Sequence, residues 1–160
     1  MSKSLMSRMK RVTPSLCPNT DNSQFSTTEW ANIDIPAGVA TDKIYTIEEA
    51  ELLRVSWFDC FLDLSSSNFK PNTLYTVNIE VKLRDGCNGW DGSLIKKIVL
   101  PDGNVIKSEE ILYGRPKNVW FNILIGKFKL DQSGLVRFQL SQYDTNWKSG
   151  IIIRALVVET

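Results

Sequence analysis

The 160-residue chain contains no histidine. That absence removes serine–histidine and cysteine–histidine nucleophile chemistry, and with them every histidine-ligated metal centre. Cysteine is scarce: Cys17, Cys60 and Cys87 are the full set, and none stands at CxxC spacing, so zinc has no ready ligands. An odd count leaves at least one thiol without a partner in its own chain. Cys60 falls inside an apolar strand pattern and reads as a buried thiol. Cys17 and Cys87 fall in loops, where oxidation between chains is open to them. No stretch approaches the roughly 20 apolar residues of a membrane helix. The first residues carry Lys3, Arg8, Lys10 and Arg11 without the apolar core of a secretory signal. No Asn-x-Ser/Thr acceptor occurs. Neither sign of charge dominates, 19 basic against 18 acidic, so no strong field gathers nucleic acid or anionic membrane. The composition therefore suggests a soluble cytosolic protein with a neutral partner, no cofactor and no metal.

What is present is a β pattern. Residues 1–24 are polar and read as a flexible tail; residues 25–160 read as one domain. Tyr75, Val77, Ile79, Val81 and Leu83 alternate with Thr76, Asn78, Glu80 and Lys82, the period of a strand with one dry face. Segments 118–125 and 135–141 repeat it, and 27–34, 50–63, 94–100, 104–112 and 150–158 are further strand candidates. A single helical turn is compatible with 45–53. Turn signals separate the runs, among them Lys70-Pro71-Asn72, Asp85-Gly86, Pro101-Asp102-Gly103 and Lys148-Ser149-Gly150. The spacing predicts an all-β, antiparallel sandwich or barrel. Lys96-Lys97, two charges in an apolar strand, point to a sheet edge.

If consecutive strands reverse, loops 35–43, 85–93, 113–117 and 144–149 share one pole, and 64–73, 101–103 and 131–133 share the other. The first pole holds Asn88, Trp90, Asp91, Tyr113, Arg115, Tyr143, Asp144, Asn146, Trp147 and Lys148, with Trp30 close by. Sugars need this mixture: a ring for the flat C–H face, amides and carboxylates for the hydroxyl rim. Trp90, set between Gly89 and Asp91, reads as a loop ring offered to a ligand. Tyr143 and Asp144 serve either a ligand or their own turn. Trp57 and Trp120, inside strand candidates, read as core or sheet-face packing.

Four blocks stand in a defined order: Glu48-Glu49-Ala50-Glu51-Leu52-Leu53-Arg54-Val55-Ser56-Trp57, Lys70-Pro71-Asn72-Thr73-Leu74-Tyr75, Arg115-Pro116-Lys117-Asn118-Val119-Trp120 and Trp147-Lys148-Ser149-Gly150. Their order and spacing resemble the phloem protein 2 family of plant lectins over residues 25–160. The resemblance implies a jelly-roll-like β-sandwich that binds N-acetylglucosamine oligomers or N-glycan cores without catalysis. It also implies a homodimer, thiol-linked assembly and a place in phloem sap, with a role in defence. It adds Trp30 to a carbohydrate site of Asn88, Trp90, Tyr143, Asp144 and Trp147. Where family members carry further tryptophans, this chain reads Ala31-Asn32-Ile33-Asp34-Ile35-Pro36, so only Trp30 transfers. Two alternatives remain. The family's link to RNA movement suggests an RNA-binding transport protein acting through the basic tail. A glycoside hydrolase needs two facing carboxylates; adjacent Glu109 and Glu110 point to opposite faces, Asp59 and Asp63 share one, and Asp85, Asp91 and Asp144 share the loop pole.

Overall fold

Because successive side chains of a strand point to opposite faces, strict alternation buries every second residue when one face is covered. The computed structural model, which describes residues 25–29, 44–45 and 49–160, shows this along β5 (Tyr75–Asn88): Tyr75, Val77, Ile79, Val81 and Leu83 are buried. The other strands are β1 (Phe25–Glu29), β2 (Ile44–Tyr45), β3 (Glu49–Leu52), β4 (Phe58–Ser65), β6 (Leu94–Val99), β7 (Val105–Glu110), β8 (Trp120–Phe128), β9 (Leu135–Gln142) and β10 (Ser149–Glu159). They form two sheets. One has the order β1-β3-β10-β5-β8, with β2 also pairing β10; the other runs β4-β9-β6-β7. Every pairing between these strands is antiparallel. The all-β sandwich expected from the sequence is the observed fold, and its inner faces share one core, with Val81, Ile123 and Ile151 from one sheet and Leu62, Ile98 and Leu140 from the other.

One pole of that core is aromatic. Phe69 sits edge-on to Tyr75 and Phe128 at 5.3 and 5.2 Å, and Phe128 meets Phe138 at 5.7 Å. Such pairs add roughly 0.5–1.5 kcal/mol beyond area burial. The Lys70–Tyr75 block closes this end: the Lys70 N–H donates to Tyr75 Oη at 2.8 Å, and Asn72, at φ 55°, donates its N–H to Leu130 O. The loops predicted to lie here do so. Ser66 and Gly134 exchange two hydrogen bonds, and Gly134 packs on Pro101.

Several expectations need correction. The 50–63 candidate is two strands: β3 belongs to one sheet and β4 to the other, so the chain changes layers at 53–57. Glu49–Leu52, inside the helix-compatible window, is strand because it pairs with both β1 and β10. Trp57, expected to pack, is 65% exposed, because the layer change swings it outside. Lys96-Lys97 does not mark an edge, since β6 lies between β9 and β7. Lys96 instead faces inward, buried, with its ammonium 3.1 Å from Glu110. Asp85-Gly86 is no hairpin turn: β5 continues through it as a bulge, with Leu83 opposite Ile151 and Asn88 opposite Ser149. Cys60 is buried but disulfide-bonded rather than a thiol, while Cys87, at the end of β5, is free. Trp120 is sheet-face packing as read, with Lys82 and Arg154 over its ring at 4.6 and 3.9 Å. The proposed tail and residues 30–43 lie outside the described residues.

The aromatic pole gives a direct check. Replacing Phe138 by Ala should cost about 3–5 kcal/mol, because the neighbouring rings cannot collapse into the void. Urea unfolding measures it; an unchanged midpoint would contradict the packing described.

Candidate functional site

The other pole is built around Lys148. Its backbone bridges to the layer change: the Val55 N–H donates to Lys148 O at 3.0 Å and the Lys148 N–H to Val55 O at 2.7 Å. Its side chain is fully buried. The ammonium donates to Asn146 O at 2.8 Å, Asp144 Oδ1 at 2.8 Å, Asp144 O at 3.1 Å and Ser56 O. A buried charge demands such company, because bare desolvation would cost far more than folding supplies. One cation thereby ties the 143–147 loop to the chain crossing between sheets.

Asp144 completes the anchor. Its Oδ1 also takes the Asn146 N–H at 3.1 Å, and its Oδ2 takes Gln142 Nε2 at 2.8 Å. Desolvation pushes the Asp144 carboxyl up, but the bonds from Lys148, Gln142 and the Asn146 N–H outweigh it and hold it below the usual aspartate value. Gln142 Nε2 reaches on to Gly89 O at 2.8 Å, joining the 88–92 loop to the same anchor. Gly89, at φ 87°, is required here: a Cβ would lie 2.3 Å from Trp147 O. Trp90 seals the joint, donating its Nε1–H to Ser149 O at 2.9 Å and standing edge-on to Phe58 at 5.2 Å.

Between these fixed loops lies a cleft of about 470 Å³, lined by Leu53, Arg54, Asn88, Asp91, Asn146 and Trp147 among others. The size suits a small ligand. Trp147 is 55% exposed, with the Arg54 guanidinium 4.3 Å from its ring centroid. Arg54 and Asp91 oppose each other in sign, and Lys148 spends its charge inward, so the lining is close to neutral. Across the Asn88–Asp91 loop a smaller hollow of about 300 Å³ opens between Trp90, Leu112, Tyr113 and Lys117. Loops 85–93, 113–117 and 144–149 thus meet at one pole as the alternation predicted, and loop 35–43 lies outside the described residues. Among the described residues no three His, Cys, Asp or Glu side chains converge to hold a metal.

The family described as Phloem protein 2 matches residues 27–159. The chain belongs to the phloem protein 2 family. Among relatives, a protein named lectin from Coccinia grandis is 36% identical over 72% of this chain and 75% of its own length. A lectin from Luffa acutangula is 31% identical over 71% of this chain and 56% of its own length. The Arabidopsis thaliana protein PHLOEM PROTEIN 2-LIKE A2 is 31% identical, over 69% and 59%. The matched region therefore spans little more than half of the last two.

Within this phloem protein 2 domain the six predicted site residues separate. Asn88 and Trp147 share the cleft. Asp144 lies under the loop as its anchor rather than as an open ligand group. Trp90 does not offer a ring: it is 4% exposed and its indole N–H is spent inside the fold. Tyr143 points away from the cleft, its ring 6.0 Å from Trp57 and its hydroxyl donating to Asp59 Oδ2 at 2.9 Å. Burial first, and then Asp59, hold that phenol above its ordinary pKa, so it stays a donor. Trp30 lies outside the described residues. Sequence reading missed Arg54 and the inward role of Lys148. The available signals were the Leu53-Arg54 step of the first block and the Asp144-to-Lys148 spacing of four.

Two results follow. Lys148→Met should destabilise by about 3–5 kcal/mol, since it takes the shared donor from oxygens of Ser56, Asp144 and Asn146; chemical unfolding reads this, and a loss below about 1 kcal/mol would contradict the anchor. Asp144 contributes through a lowered folded-state pKa, so its stabilisation is present above the unfolded value and is lost as pH falls through the folded one. Asp144→Asn should therefore flatten the acid limb of the stability profile, and an unaltered limb would refute that role.

Proposed function

We propose that this chain is a non-catalytic lectin that takes N-acetylglucosamine oligomers into the cleft between the 88–92 and 143–148 loops. The observation that carries this is the exposed Trp147 indole in a near-neutral cleft with the Asn88 and Asn146 amides. A pyranose face stacks on the ring, and hydroxyl and acetamido groups meet the amides and Asp91. The relatives named lectin support the same class. Three of the carboxylates weighed for hydrolysis are held by cations: Asp144 by Lys148, Asp63 by Arg137, Glu110 by Lys96 and Arg115. An Asp144 held below its ordinary pKa is also a poor proton donor. Family membership further supports a phloem-sap location, and pairing of two copies would add avidity.

Calorimetric titration with chitotriose tests the reading. Binding should fall between about 1 μM and 1 mM and respond little to salt, unlike RNA binding through a basic segment. Trp147→Ala and Asn88→Ala should each weaken it about tenfold. Unchanged binding in both variants would contradict the placement, and shortening of chitin oligomers on long incubation would contradict the absence of catalysis.

A further inference from the structure

The outer face of the four-stranded sheet carries chemistry that the cleft does not use. Trp57 is 65% exposed and Tyr143 46%, their ring planes inclined by 53°. The pair stands where β4 begins and β9 ends. From it a row of polar side chains runs along the same face. Asp59 accepts from Tyr143 Oη at 2.9 Å and from Gln139 Nε2 at 2.8 Å. Arg137 grips Asp63 through Nε and Nη2 at 2.8 and 3.0 Å and lies over Phe61 at 3.8 Å. Strand register sets Phe61 opposite Gln139 and Gln139 opposite Lys97. Asp59 and Asp63 thus share this face with Arg137 and Lys97, and the four charges cancel.

We propose that this face is a second saccharide-binding surface, separate from the cleft, for successive rings of a neutral β-linked glycan chain. Two tilted aromatic planes take the C–H faces of neighbouring sugars that are turned relative to one another. The polar row then offers acceptors and donors side by side. A carboxylate accepts about four hydrogen bonds, and Asp59 has spent two. A guanidinium has about five donors, and Arg137 has spent two on Asp63. Because these side chains already hold one another in place, little rotamer freedom is lost on binding. A protein partner fits less well, since charges are depleted from the core of such interfaces and here they run along the middle of the strip. A polyanion would meet Asp59 and Asp63. The proposal does not depend on the reading of the cleft.

Indole N–H resonances of the five tryptophans, assigned by single substitution, give the test. The full chain is titrated with chitohexaose, cellohexaose and xylohexaose. The Trp57 signal should shift saturably with at least one of them, and should still do so in Trp147→Ala. Trp57→Ala, and separately Tyr143→Ala, should weaken that interaction about tenfold, leaving cleft affinity for chitotriose within about twofold. Both side chains are partly exposed, so the fold tolerates their loss, which retained spectral dispersion verifies. A Trp57 signal unmoved by all three probes overturns the proposal. So does a shift that disappears with Trp147→Ala, which means one continuous site, or one that follows protein concentration instead of sugar, which means self-association. If Trp147 stays silent while Trp57 responds, the cleft reading fails and the sheet-face proposal stands.

Discussion

A fully buried ammonium must be surrounded by oxygen, and the pole of this domain is arranged to satisfy that requirement at Lys148. The acceptors come from two places: Ser56, where the chain passes between sheets, and the Asp144–Asn146 turn. Meeting the demand of one cation therefore fixes the layer change against the loop. The adjacent Trp147 is left exposed over the cleft, 4.3 Å from Arg54. Gln142, Gly89 and Trp90 then lock the neighbouring loop to the same assembly. The cleft is the space these bonds leave, and such fixed walls would lower the entropic cost of holding the proposed saccharide.

The blocks that made the family recognisable are mostly structural locks. Asn118, at φ 59°, donates its N–H to Leu83 O and accepts the Asp85 N–H, which holds the bulge in β5. Gly150 lies so close to Cys87 that a Cβ would stand 2.7 Å from it. Lys70–Tyr75 closes the far pole. Of the cleft lining, Arg54 and Trp147 belong to those blocks while Asn88 and Asp91 lie outside them, so the family pattern identifies the scaffold more sharply than the proposed site.

Alternation made β5 and β9 legible, because each has one face on a continuous core. The same rule, applied strictly, would have turned Lys96 inward beside Leu94 and Ile98; it was read as an edge signal because Glu110, its counter-ion on the next strand, is invisible without the pairing. Trp90 was misjudged for a related reason. Flanking glycines mark a loop, but they also let that loop press against Trp147 and bury its own indole. Trp57 was read as packed because it fell inside a strand candidate, yet that candidate breaks there. Lys148 was read only as part of a turn signal; the carbonyls that draw it inside include Ser56, 92 residues away in sequence. Local pattern shows which faces are dry, and long-range hydrogen bonds decide which polar groups follow them in.

The central claim is that the Lys148 ammonium is sequestered and bonded to carbonyl oxygen. Nitrogen-15 NMR of the lysine side chains tests it most directly. The account predicts a slowly exchanging ammonium signal at neutral pH with through-hydrogen-bond coupling to the carbonyls of Ser56 and Asn146. A Lys148 ammonium that exchanges as fast as the surface lysines, with no such coupling, would contradict it.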